Sequence, residues 1–169
     1  MNHIVRALSD TNNGVRTSAL QLVQGISRDE WLAITEEARI EILRLVSFSF
    51  HDNAPKVRTA AAFVVGTYVM HDWIRNEETL RTFATDIMTT LRKEETLVVV
   101  SRCAWALANL CSCLTPKQEN NANDLDSQHI TDTFVTSKQI SDVVVSLAKD
   151  YDDQSQTQDK IRTSSIRAL

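Results

Sequence analysis

The chain has 169 residues, 43% of them hydrophobic and 24% charged, which suits one globular domain with a sizeable core and excludes a disordered chain. Gly occurs 3 times and Pro 2 times, too few for the turns of a sheet-rich fold or the glycines of a phosphate loop, so the expected class is all-α. Net charge is −4 with no run of Lys or Arg, and no apolar stretch approaches membrane-spanning length, so neither nucleic acid nor a membrane is expected as a partner.

In chain order, HIVRAL at the N-terminus reads as the tail of a helix, and VRTSALQLV from Val15 as the next helix. Ser27 with Glu30 reads as a capping box that starts the region around Trp31. EEARIEILRLVSF from Glu36 is amphipathic and ends in the polar break HDNAP, where Pro55 suits a helix's first turn. The helix VRTAAAFVV from Val57 follows, then ETLRTFATDIMTTL from Glu78 and VVSRCAWAL from Val99. Residues 115–133 are polar and acidic without apolar period, and read as a flexible insertion in a turn. SDVVVSLAKDY from Ser141 and IRTSSIRAL from Ile161 close the chain.

Four of these stretches share one template. Their starts at 15, 57, 99 and 161 are separated by 57 − 15 = 42, 99 − 57 = 42 and 161 − 99 = 62, the last being one period plus 20. Positions 0, 4, 7, 8 and 11 of the template form one helical stripe. The first copy has Val15, Ala19, Leu22, Val23 and Ile26 there; the second has Val57, Ala61, Val64, Val65 and Tyr68. The third has Val99, Cys103, Ala106, Leu107 and Leu110, and the fourth begins with Ile161. Each is preceded by an amphipathic partner, which divides the chain into a partial unit at 1–27, units at 28–70 and 71–114, the insertion at 115–133, and a partial unit at 134–169.

A period near 40 with two helices per unit resembles HEAT or armadillo repeats. The HEAT pattern has an Asp in the turn and an Arg six places later, and Asp10 with Arg16 and Asp52 with Arg58 match it. The third copy departs, with Glu94 and Val100, though Arg102 is close by; the fourth has Gln156 and Arg162. The resemblance implies a right-handed α-solenoid, an armadillo-like superhelix of about three to four repeats, in which Asp10, Arg16, Asp52, Arg58 and Arg162 belong to a ladder between repeats. It also implies a non-enzymatic scaffold that binds protein partners, with second helices on the concave side. Stacked repeats need polar outer faces at their ends, and neither end has one. The chain is therefore expected to be incomplete at both ends, a piece of a longer solenoid whose last helix, Ile161 to Leu169, frays.

Within that frame, exposed residues such as Thr17, Arg58, Thr59, Arg102 and Trp105 are the expected partner contacts. Trp105 and Asn109 lie four apart on one helix face. They resemble one rung of the peptide groove of importin-type armadillo proteins, where Asn binds peptide backbone and Trp sandwiches lysine stems. Subtracting 42 maps Trp105 to Phe63 and then Gln21, and Asn109 to Thr67 and then Gly25, so neighbouring rungs are missing. The favoured reading has Trp105 packing between helices and Asn109 near the helix surface; the alternative is an adaptor for linear basic peptides. Cys103, Cys111 and Cys113 read as buried, reduced thiols, which together with a signal-free N-terminus suggest an intracellular setting, cytoplasmic or nuclear. Trp31 and Trp73 read as packing residues near the starts of first helices. His51–Asp52 and His71–Asp72 fit no catalytic motif, and no cofactor, metal or small-molecule substrate is expected.

Overall fold

The computed structural model describes residues 2–114. The expected insertion at 115–133, the last partial unit with Arg162, and the expectation that the final helix frays lie outside the described residues. Every regular element within them is helical: α1 Asn2–Leu8, α2 Asn13–Gly25, α3 Arg28–Ala33, α4 Glu36–Phe48, α5 Pro55–Met70, α6 Glu77–Leu91 and α7 Leu97–Leu114. A single 3-10 turn, Ser49–His51, continues α4.

Local chemistry sets the helix ends. The Asn12 side chain accepts the Gly14 N–H at 2.8 Å and opens α2, and Asn76 accepts the Thr79 N–H at 2.9 Å and opens α6. Ser27 and Glu30 form the reciprocal capping box, with the Ser27 N–H donating to the Glu30 carboxylate at 2.8 Å. That box starts a separate short helix, α3, because Ile34 and Thr35 are extended and α4 begins afresh at Glu36. Trp31 therefore belongs to its own turn of helix just ahead of α4, and it is buried there. Pro55 occupies the first turn of α5.

The helices pack as pairs, α1 on α2, α4 on α5 and α6 on α7. Second helices meet in chain order, α2 on α5 and α5 on α7, as do first helices, α1 on α4 and α4 on α6. α5 is therefore enclosed on both sides. Nine of its residues are buried, from Val57 to Val69, which is why its sequence has almost no polar face.

The template positions are buried throughout the second and third copies, Val57, Ala61, Val64, Val65 and Tyr68 in one and Val99, Cys103, Ala106, Leu107 and Leu110 in the other. In the first copy Ala19 and Val23 are buried, but Val15 is 39% and Leu22 66% exposed. The expected stripe fails at those two positions because no helix among the described residues covers that side of α2. Leu20, Ala62 and Ala104, all at template position 5, are also buried. A helix packed on two sides buries a wider arc than a five-position stripe.

Candidate interaction site

Polar groups lock the pairs together. Arg16 donates from Nε and Nη2 to the two carboxylate oxygens of Asp52, at 2.7 and 2.9 Å. Its Nη1 donates to the carbonyl oxygens of Asp10 and Thr11 at 2.7 and 3.0 Å. Arg58 repeats the arrangement: Nε donates to Glu94 at 2.6 Å, and Nη1 to the carbonyls of Asp52 and Asn53 at 2.7 and 3.1 Å. Each arginine thus holds its own turn through backbone carbonyls and the next pair through a carboxylate. Glu94 does the work of an Asp despite its extra methylene, and Val100 at the next arginine position ends the series among the described residues.

Burial by itself raises the Asp52 and Glu94 carboxyls. The hydrogen bonds from Arg16 and Arg58, those from the Ala54 and Thr96 amides, and the arginine charges outweigh it, so both carboxyls sit below the usual range. The Arg58 side chain is only 16% exposed and is held through both Nε and Nη1. Its expected role as an exposed partner contact is therefore corrected: it is an internal tie. Thr17 and Thr59 spend their hydroxyls on the carbonyls of Asn13 and Pro55, one turn back.

A second cluster lies where α5 meets α7. Trp105 rests on Gly66 so closely that a Cβ there would lie 2.2 Å from the indole Cζ3. The Phe63 ring is 5.6 Å from Trp105 at an interplanar angle of 58°, and the Arg102 guanidinium lies 4.4 Å from the Phe63 centroid and 5.3 Å from that of Trp105. Asn109 Nδ2 donates to the Gly66 carbonyl at 3.1 Å. Phe63 is exposed while Trp105, Arg102 and Asn109 are half-buried. Arg102, Trp105 and Asn109 are thus brought together, and Phe63 and Gly66 join them. The signal for Phe63 was its position 42 residues before Trp105; nothing in the sequence pointed to Gly66.

Elsewhere Tyr68 is clasped between Trp31 and Trp73, each centroid 4.9 Å away, and its hydroxyl donates to the Val23 carbonyl at 2.5 Å. Burial pushes its phenol pKa up. Cys103 and Cys111 are buried, and burial pushes their thiols to about 12 and about 11. Cys113, near the C-terminal end of α7, is exposed, contrary to the expectation of three buried thiols, although its thiol donates to the Val69 carbonyl of α5 at 3.3 Å. Ser47 donates to Asp86 at 2.5 Å, and His51 Nε2 lies 3.2 Å from the other oxygen of that carboxylate. Asp86 stands between hydroxyl and imidazole, so the cluster joins α4 to α6 and does not pair a nucleophile with a base. A cleft of about 520 Å³ is lined by α3, α4 and the start of α6, with Trp31, Arg39, Ile40, Trp73 and Arg75 among its walls.

Among the described residues no helix is long and apolar enough to cross a membrane, and no three His, Cys, Asp or Glu side chains converge as metal ligands would. No family model, curated protein or solved structure matches the chain.

Proposed function

We propose that the protein is a non-enzymatic scaffold for protein partners, built as a HEAT-like right-handed α-solenoid. The pairwise helix stacking and the twice-repeated Arg–carboxylate tie support the solenoid reading. VRTAAAFVVGTYV, CAWALANL and DKIRTSSIRAL together resemble segments of HEAT repeat-containing protein 6, and that resemblance is part of the same proposal. The observation that carries the binding role is the Phe63–Arg102–Trp105 cluster. Aromatic and arginine side chains held in one orientation are the composition that binding hot spots favour, because little freedom remains to be lost on association.

The basic-peptide alternative has less support. Arg102 already lies over both rings that would flank a lysine stem, and the Asn109 amide nitrogen is given to Gly66. The test is capture of partners by the intact protein followed by reconstitution with the purified partner. Arg102→Glu is expected to weaken the reconstituted complex by tenfold or more, on the order of a hot-spot loss, measured at a temperature where circular dichroism shows the variant still fully folded. Binding of a lysine-rich peptide that vanishes in Trp105→Ala would favour the alternative, and turnover in a hydrolase or transferase screen would replace both.

A further inference from the structure

Charge divides the helices by layer. The second helices α2, α5 and α7, which meet one another in chain order, contain no Asp or Glu. Their charged side chains are Arg16, Lys56, Arg58 and Arg102. Carboxylates belong to the first helices, with Glu36, Glu37 and Glu41 in α4 and Glu77, Glu78 and Asp86 in α6. A chain of net charge −4 thus keeps one layer of helices free of negative side chains.

Two of those cations are spent on the fold, since Arg16 and Arg58 hold Asp52 and Glu94. Lys56 and Arg102 have neither an ion pair nor a side-chain hydrogen bond among the described residues. Lys56 is exposed, whereas Arg102 is half-buried, its guanidinium over the Phe63 and Trp105 rings. A ring gives the cation a negative face but no oxygen for its N–H donors, so these stay available. A carboxylate can engage two of them at once. The ring contacts also restrain a long side chain that would otherwise lose much freedom on binding.

The neighbours of Arg102 complete the surface. Template position 6 holds Gln21, Phe63 and Trp105 in corresponding places on α2, α5 and α7. Lys56 stands seven residues before Phe63, on the same face of α5.

We infer that the layer formed by α5 and α7 is a docking surface for an acidic linear segment of a protein partner. One carboxylate of that segment pairs with Arg102, an adjoining apolar side chain lies on Phe63 and Trp105, and further carboxylates are drawn toward Lys56. The inference deepens the scaffold reading and rests on it. Charge complementarity selects the occupant: a basic segment would bring its lysines against Arg102 and Lys56, on helices with no carboxylate to receive them.

The test uses the full chain and three dye-labelled peptides: one rich in Asp and Glu with a central Leu, and its counterparts with Gln or Lys replacing every acidic residue. In fluorescence anisotropy the acidic peptide should bind, with affinity falling as salt is raised. Arg102→Gln should weaken it about tenfold or more, and Lys56→Gln roughly threefold, both measured where circular dichroism shows a folded chain. Arg102→Lys keeps the charge but not the planar fork, and should recover only part of the loss. An acidic peptide that does not bind, equal binding of the Gln peptide, tighter binding of the Lys peptide, or wild-type affinity in Arg102→Gln overturns the assignment. So does equal binding of a single-stranded oligonucleotide of matched charge, since the layer would then select polyanions at large. Asp124→Asn combined with Asp126→Asn asks whether the chain's own acidic stretch competes. Unchanged affinity supports a partner's segment, and tighter peptide binding overturns it. The complex reconstituted with the captured partner separates the two levels of inference. If Arg102→Glu and Phe63→Ala weaken that complex but salt and the acidic peptide do not, only the acidic assignment falls; if neither substitution weakens it, the scaffold reading of this cluster falls as well.

Discussion

Asp72 is the single non-glycine residue with positive φ among those described, at 56°. It ends α5 in a Schellman arrangement: its N–H reaches the Val69 carbonyl at 3.0 Å, and the Trp73 N–H reaches that of Tyr68 at 2.9 Å. The stacked Tyr68 and Trp73 rings supply the apolar contact that accompanies this motif. An Asp in this position carries a steric cost that glycine lacks, so Asp72→Gly is expected to stabilise by about 1 kcal/mol. A denaturant midpoint at or below wild type would contradict it. Gly66 poses the opposite case. Alanine is the better helix former by about 1 kcal/mol, yet its methyl would enter the Trp105 indole, which cannot yield without leaving Phe63 and Arg102. Gly66→Ala should therefore destabilise by roughly 1–3 kcal/mol and red-shift Trp105 emission, read in a chain whose other tryptophans are replaced.

At the scale of elements, the ties between helix pairs carry a pH signature. Asp52 and Glu94 have folded pKa values below their ordinary ones. Their stabilisation is complete above the unfolded carboxyl range and is lost as pH falls through the lower folded values. Stability should therefore decline between about pH 6 and pH 3, and Glu94→Gln should flatten that decline while lowering stability at neutral pH. An unchanged slope would mean the Arg58 tie contributes nothing. Thiol chemistry reports the same elements. Maleimide at pH 8 is expected to modify Cys113 in the folded protein and to reach Cys103 and Cys111 only on unfolding, because burial holds both of those thiols protonated.

At the scale of the molecule, equivalent template positions are not energetically equivalent. Val57→Asp places a carboxylate among buried side chains and should cost about 3–5 kcal/mol. Val15→Asp, at the same position one copy earlier, should fall within roughly 0.5 kcal/mol of wild type, since Val15 is 39% exposed. Equal losses at both sites in chemical denaturation would show that the α2 face is covered after all.

Helices, caps and the 42-residue period were legible in the chain itself because they depend on residues close together: Asn12, Ser27 with Glu30, Pro55 and the 3.6-residue apolar rhythm act within a turn or two. Glu94 could be aligned with Asp52 by register, but its role as an acceptor depended on whether one more methylene still reached Arg58. Which of Val15, Leu22 and Val57 is covered, how Trp105 settles on Gly66, and where the hydroxyl of Tyr68 finds its acceptor were decided only by the packing of one helix pair against the next. Those outcomes turn on distances between residues some 40 positions apart, and local periodicity carries no record of what lies across an interface.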